Sequence, residues 1–273
     1  MTRLARRPIL ATRPSRPGVE RKSARELELM RQAGRINALA LAAMRAAARP
    51  GATTRQLDAI AERVIVANKG VPAFKGYSGP YPYPNTTTVS VNDELVHGIP
   101  GPRALRAGDI ASLDCGTVYQ GYYADSAITV GIGQISELAQ RLLSVTEEAL
   151  TAGIAFMRPG RRTGDVSVAM QEFVEFHGFH MVRSYTSHGI GRHMHEDPEL
   201  PYYVKPGTGL LLRPGITIAL EPMVLVGTPE TRVLEDEWTV VSADGSLTAH
   251  FEHTVAVTEG EPEVLTEIPG LDE

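Results

Sequence analysis

Residues 49–57, Arg-Pro-Gly-Ala-Thr-Thr-Arg-Gln-Leu, return at residues 158–166 as Arg-Pro-Gly-Arg-Arg-Thr-Gly-Asp-Val. The second copy lies 109 positions on, from 49 to 158, and that shift also places Leu29 on Leu138, Ile36 on Val145, Ala40 on Ala149 and Ala43 on Ala152. Chance matches do not hold one register over such a length. Downstream, the run from Leu105 to Asp114 (LRAGDIASLD) matches Leu212 to Glu221 (LRPGITIALE), 107 positions on from 105 to 212. Tyr123 to Val130 (YADSAITV) then corresponds to His250 to Val257 (HFEHTVAV), 127 positions on from 123 to 250. An aspartate lands on a glutamate in both of these later blocks: Asp114 on Glu221 and Asp125 on Glu252.

Each half opens with a pair of helices. Ser23 followed by Glu26 is a capping-box pattern that starts a helix running to Ala48, where Arg49, Pro50 and Gly51 stop it. A second helix spans 53–68, with Leu57, Ile60, Ala61, Val64 and Ile65 on one face and Gly70 past its end. Segments of alternating polarity at 87–91, 110–114 and 126–130, separated by glycine and proline, predict antiparallel strands. Neither half buries its apolar faces alone, so the two pack about a pseudo-two-fold axis into one domain of mixed helix and antiparallel sheet. The repeated acids meet where the halves join.

The composition fits such a core. The 273 residues are 42% hydrophobic and 22% charged, which excludes disordered, collagenous and coiled-coil chains. No uncharged apolar run approaches the roughly 18 residues a membrane span needs; the longest candidate, 38–48, is broken by Arg45. The first residues are too rich in arginine and proline for a secretory signal, and the single Cys115 excludes an internal disulfide, so a reducing cytoplasm is expected. The net charge of −5 hides an asymmetry: residues 1–25 carry seven arginines and Lys22 against Glu20, net +7, which leaves −12 for the body. Residues 1–22 are therefore read as a flexible basic arm and 23–273 as the folded domain. A solvated tail is the commoner explanation of such an arm, contact with the ribosome the alternative, and its deletion is then expected to leave activity intact.

Asp114, Asp125, Glu221 and Glu252 all lie in strand contexts such as IASLD and TIALEP, where an unpaired buried carboxylate is expensive. No basic residue recurs beside them, so divalent metal is the economical counter-charge. Taken singly, each acid is better explained as a hydrogen-bonded or solvated strand carboxylate; four in register change that. Four carboxylates with one imidazole suit two ions such as Mn²⁺, Fe²⁺ or Co²⁺, the arrangement that activates water for hydrolysis. Cys115 follows Asp114 on an alternating strand and therefore faces the core. Of eight histidines, His188 is favoured as the ligand because Gly189 and Gly191 let the backbone approach closely, while His177 and His180 are explained by a helix end. His193 and His195 share a face and are candidates for metal or surface, and His97 sits in a turn where a structural role is equally open.

The motifs NDELVHGIP at 92–100, LD at 113–114 leading to DS at 125–126, SHGIG at 187–191 with His195-Glu196, ALEP at 219–222 and FEHT at 251–254 together resemble type I methionine aminopeptidase, over residues 25 to 266. The resemblance implies the α/β pita-bread fold of two pseudo-symmetric halves around a central metal site. It implies two divalent ions on Asp114, Asp125, His188, Glu221 and Glu252, with Asp114 and Glu252 bridging. It further implies Glu221 as proton shuttle, His97 at the scissile amide nitrogen and His195 at the developing oxyanion. The methionine pocket would be Tyr77, Tyr83, Thr88, Met194 and Trp238, with ordinary core packing as the competing reading of Tyr83, Met194 and Trp238. The substrates would be the N-terminal peptides of nascent proteins with small second residues, and the enzyme a monomer with no membrane contact. A prolidase of the same fold is the nearest rival, set aside because that group carries a further amino-terminal domain; a ligand-depleted peptide-binding module is set aside because no ligand is missing. Departures from the family pattern are Ser187 in place of glycine, Tyr123-Ala124 in place of histidine-glycine, Thr88 in place of cysteine, and a lengthened stretch YSGPYPYP at 77–84, of which perturbed geometry rather than lost activity is expected.

Overall fold

The computed structural model describes residues 18–267. Ser23 and Glu26 cap each other reciprocally and start α1 (Ala24–Ala47), and Thr53 with Gln56 repeats the device for α2 (Thr54–Ala67). The second copy of the program gives α3 (Glu137–Ala155), capped by Ser136, and α4 (Thr163–Phe176). The helices form as α1–α2 and α3–α4 pairs, each within a residue of the predicted limits where those were set.

The central sheet comprises β1 (Val71–Pro72), β2 (Thr87–Val91), β3 (Ile110–Tyr119), β4 (Tyr122–Gly131), β5 (Ser187–Gly189), β6 (Glu196–Leu200), β7 (Thr217–Leu220), β8 (Glu252–Ala256) and β9 (Glu263–Val264). Among the described residues the order is β1-β3-β4-β8-β7-β5-β6, with β2 also on β3 and β9 also on β8, antiparallel at every pairing. The repeat is visible in that order. β7 is the counterpart of β3 and β8 the counterpart of β4, so the pseudo-two-fold passes between β4 and β8 at the middle of the sheet. Two strands run longer than predicted: β3 and β4 have ten residues each and are joined by Gln120 and Gly121, both at positive φ as a two-residue hairpin turn requires. Residues 110–117 are buried throughout, so the strand lacks the alternation of polarity that would have revealed its full length.

Helix α1 lies across β3 and β4. Its Asn37 donates to Ser126 Oγ at 2.7 Å and accepts from Thr117 Oγ1 at 2.7 Å, a fully buried polar bridge between helix and sheet. Beside it Gly34 meets the backbone of Leu265 so closely that a Cβ would stand 1.9 Å from the carbonyl oxygen. Because that contact is backbone, no rotamer relieves it. Gly34→Ala is expected to destabilise the protein by about 1–3 kcal/mol, read as a fall in denaturant midpoint at unchanged slope; an unchanged midpoint would contradict the packing.

Candidate metal centre

In an antiparallel sheet residues directly opposite share a face, as do positions i and i+2 of one strand. Asp114 on β3 and Glu252 on β8 both stand opposite Ala127 of β4, one from each side. Asp125 precedes Ala127 by two and joins them on that face. His188 on β5 pairs with Ala219 of β7, and Glu221 follows the end of β7. Five adjacent strands thus each present one of the five side chains expected as ligands, and all five are buried.

The side chains stand close enough to share a cation. Ligand atoms of Asp125, His188 and Glu252 lie within 4.8 Å of one another, as do those of Glu221, His250 and Glu252. His188 Nε2 is 3.5 Å from Glu221 Oε1. The other ring nitrogen, Nδ1, is 2.9 Å from the carbonyl of Gly189, which takes its proton and leaves the Nε2 lone pair aimed inward. Asp114 Oδ1, Asp125 Oδ1 and Glu252 Oε1 are buried without a hydrogen-bond partner. Among the described residues no lysine or arginine pairs with any of the four acids. Orphaned carboxylate oxygens beside an oriented imidazole fit hard or borderline divalent cations.

The electrostatics say the same. Burial pushes the Asp114 carboxyl up to about 6, opposed by His250 and reinforced by Glu221. Burial pushes Glu221 up to about 7 against the pull of His188. Asp125 and Glu252 are held well above the carboxylate range, first by burial and then by neighbouring acids: Asp114 and Glu221 for Asp125; Asp125, Glu221 and Asp114 for Glu252. Like charges crowded away from water resist ionisation until a cation balances them.

The surrounding shell fixes these groups. Thr88 Oγ1 donates to Asp114 Oδ2 at 3.3 Å, Thr254 Oγ1 accepts from the Asp125 N–H at 2.9 Å, and Tyr202 donates to the Glu221 carbonyl at 2.6 Å. Ser187, the departure from glycine, is fully buried and its Oγ accepts the Glu221 N–H at 3.0 Å. The hydroxyl is hydrogen-bonded to the backbone of an expected ligand.

The side chains expected to form a pocket gather on two sides of this cluster. Tyr83 is buried and donates to the carbonyls of Thr87 and Gly98, with Trp238 edge-on at 5.1 Å. His97 lies at φ 61, an unusual conformation for histidine, within 6.2 Å of Trp238 and 6.0 Å of Tyr185. Burial, with His250 adding to it, depresses the His97 imidazole to about 4, so it is neutral near pH 7. On the other side Met194 packs with Phe74 and Tyr77, while His195 holds the Tyr77 hydroxyl on Nδ1 at 2.6 Å and stacks 4.3 Å from His188. His193 is exposed and His177 binds the Phe173 carbonyl, so neither joins the cluster. In the lengthened stretch, Gly79 rests against the Trp238 ring and the Tyr81 hydroxyl binds the Asp236 carbonyl, which props the indole from outside.

Three features escaped the sequence reading. His250 is buried with both nitrogens unpartnered, its Nε2 3.4 Å from Glu221 and 3.9 Å from Glu252. It lies two positions before Glu252 but ends a separate strand, 248–250, so its sequence spacing was the only sign. Lys22, assigned above to a flexible arm, is instead a buried residue of the domain, paired with Glu196 at 2.6 Å; residues 18–22 are structured and the arm's remaining residues lie outside the described ones. Tyr81 is the third. Cys115 is buried as expected, and no helix among the described residues is long and apolar enough to cross a membrane.

The comparisons point one way. A model of metallopeptidase family M24 matches residues 28–259. Methionine aminopeptidase 1 of Bacillus subtilis is 47% identical over 247 residues, covering 90% of this chain and 98% of that protein. The crystal structure of a methionine aminopeptidase from Thermotoga maritima superposes with a TM-score of 0.89 at 45% identity, over 92% of this chain and all of that one. A prolidase from Pyrococcus furiosus, 21% identical with a TM-score of 0.72, shares the fold; this chain spans 65% of its length.

Proposed function

The chain belongs to metallopeptidase family M24 and, within it, to the methionine aminopeptidases; from that premise we propose that it removes the initiator methionine from nascent polypeptides with small second residues, using two divalent ions on Asp114, Asp125, His188, Glu221 and Glu252. The observation that carries this reading is the set of five side chains brought together from five adjacent strands, three of them with orphaned buried oxygens. When bound, such ions acidify water and polarise the carbonyl it attacks. Asp114 and Glu252, which both pair with Ala127, would be among the carboxylates that hold the ions. Glu221 would serve as the proton shuttle once the ions are bound. Neutral His97 offers a hydrogen bond to the scissile amide nitrogen, and His195, oriented by Tyr77, steadies the negative charge growing on the carbonyl oxygen. The thioether of the substrate lies against Tyr77, Tyr83, Met194 and Trp238, with Thr88 beside Asp114. Residues 23–273 act as one catalytic domain in the cytoplasm, with Lys22 now counted to it, and any ribosome contact falls to the basic arm.

Peptide cleavage tests the assignment. Met-Ala-Ser should be hydrolysed with Mn²⁺, Fe²⁺ or Co²⁺, Met-Leu-Ser poorly and Xaa-Pro peptides not at all; preference for Xaa-Pro would replace the reading by that of a prolidase. His97→Ala and His195→Ala should each lower kcat by roughly 10²–10³-fold at unchanged metal content. Loss of bound metal in either variant would make that histidine a ligand.

A further inference from the structure

We propose that Lys22 is a positioning residue for His195, acting through Glu196. This rests on the aminopeptidase reading above. The loop from Gly191 to His195 carries both Met194 and His195 and contains no regular structure of its own. Glu196 holds it from beneath: its Oε1 accepts the backbone N–H groups of Arg192 at 2.9 Å and His193 at 3.1 Å. Its Oε2 is bound by Lys22 Nζ at 2.6 Å, and the two side chains are 3% and 6% exposed. The ammonium is therefore the countercharge that holds Glu196 turned under the loop, since a buried carboxylate left without its cation is costly.

The segment bearing Lys22 is built for that purpose. The Lys22 N–H donates to the Gly215 carbonyl at 2.7 Å and Arg21 Nε donates to the Pro214 carbonyl at 2.8 Å, which strap the chain across the start of β7. A Cβ on Gly191 would stand 2.3 Å from Lys22 Cε, so the ion pair fills the space a side chain there would take. A second tether reaches the same loop from α1: Glu26 accepts from Tyr122 at 2.7 Å and from Arg192 at 3.0 Å, and the Arg192 guanidinium lies over the Tyr122 ring. Truncation through residue 22, harmless for a solvated arm, would remove the cation facing Glu196.

The test combines Lys22→Met with His195→Ala. Lys22→Met alone should lower kcat for Met-Ala-Ser about tenfold at unchanged KM and metal content, a loss placed in the transition state. In the His195→Ala background the same substitution should produce no further loss, because its effect passes through that imidazole. Amide exchange at Arg192 and His193 should accelerate in Lys22→Met whether or not the protein cleaves peptides. The double variant Lys22→Met/Glu196→Gln, which leaves no buried charge unpaired and keeps an oxygen beneath the loop, should recover most of the protection and of kcat. Undiminished kcat in Lys22→Met, or an equal loss with and without His195, overturns the proposal. Absence of cleavage by the metal-loaded wild type would instead overturn the function, leaving the exchange result to decide the role of Lys22 in holding the loop.

Discussion

Stripping the protein with a strong chelator at about pH 7.5 lowers cleavage of Met-Ala-Ser by roughly 10³-fold or more, and Mn²⁺, Fe²⁺ or Co²⁺ restores it. The expectation follows from the electrostatics of the cluster. With no cation present, four carboxyl groups share one buried face, and those of Asp114 and Glu221 are pushed up to about 6 and 7. An acid whose folded pKa exceeds its unfolded value contributes fully to stability below the unfolded value and loses that contribution as pH rises through the folded one. For these groups the window runs from about pH 4 to about pH 7, and the metal-free protein should therefore be less stable at pH 7 than at pH 5, the reverse of ordinary acid denaturation. Bound metal should remove or invert that slope, because the ion displaces the ligands' protons into solvent. Thermal unfolding with and without metal at the two pH values measures this. Full activity after exhaustive chelation, or a metal-free protein that gains stability from pH 5 to 7, would contradict the assignment of the cluster.

What the sequence made legible depended on its duplication. One copy aligned the other, so the acids at 114, 125, 221 and 252 stood out as a set before any contact was known, and the capping pattern at Ser23 together with the apolar face from Leu57 to Ile65 located two helices to within a residue. Outside the repeat that internal alignment is lost. The carboxylate of Glu196 meets Lys22 across 174 positions, and a lysine in an arginine-rich arm gives no sign that it will be buried. The Ser187 hydroxyl is defined only by its bond to the Glu221 backbone, 34 positions on, and a comparison of motifs could mark it as unusual without saying what it does. His250 is a different case. Its spacing of two from Glu252 was in plain view, but attention to the acid as the repeated feature left its near neighbour unread.

Glu252→Gln separates the demands of catalysis from those of folding, because the two move in opposite directions. Glu252 is 2% exposed, its Oε1 has no partner, and burial with Asp125, Glu221 and Asp114 around it holds its carboxyl well above the ordinary 4.5. In the metal-free protein near neutral pH the raised carboxyl favours holding a proton that the unfolded chain releases, a linkage that works against folding. Glutamine keeps the shape and removes that penalty, although its amide nitrogen adds a buried donor worth roughly 1–3 kcal/mol against folding. The variant's metal-free form should therefore be at least as stable as the wild type at pH 7.5, and any advantage should shrink as pH falls towards 4.5. Bound metal per protein should drop and peptide cleavage fall at least about 10³-fold, since a neutral amide cannot bridge two cations as a carboxylate does. Denaturant titration, metal analysis and turnover on the same preparation read all three. A variant that unfolds more easily than wild type without metal at pH 7.5, or that retains full metal and activity, would show that Glu252 is held in place for the fold and not, against the fold's own interest, for an ion.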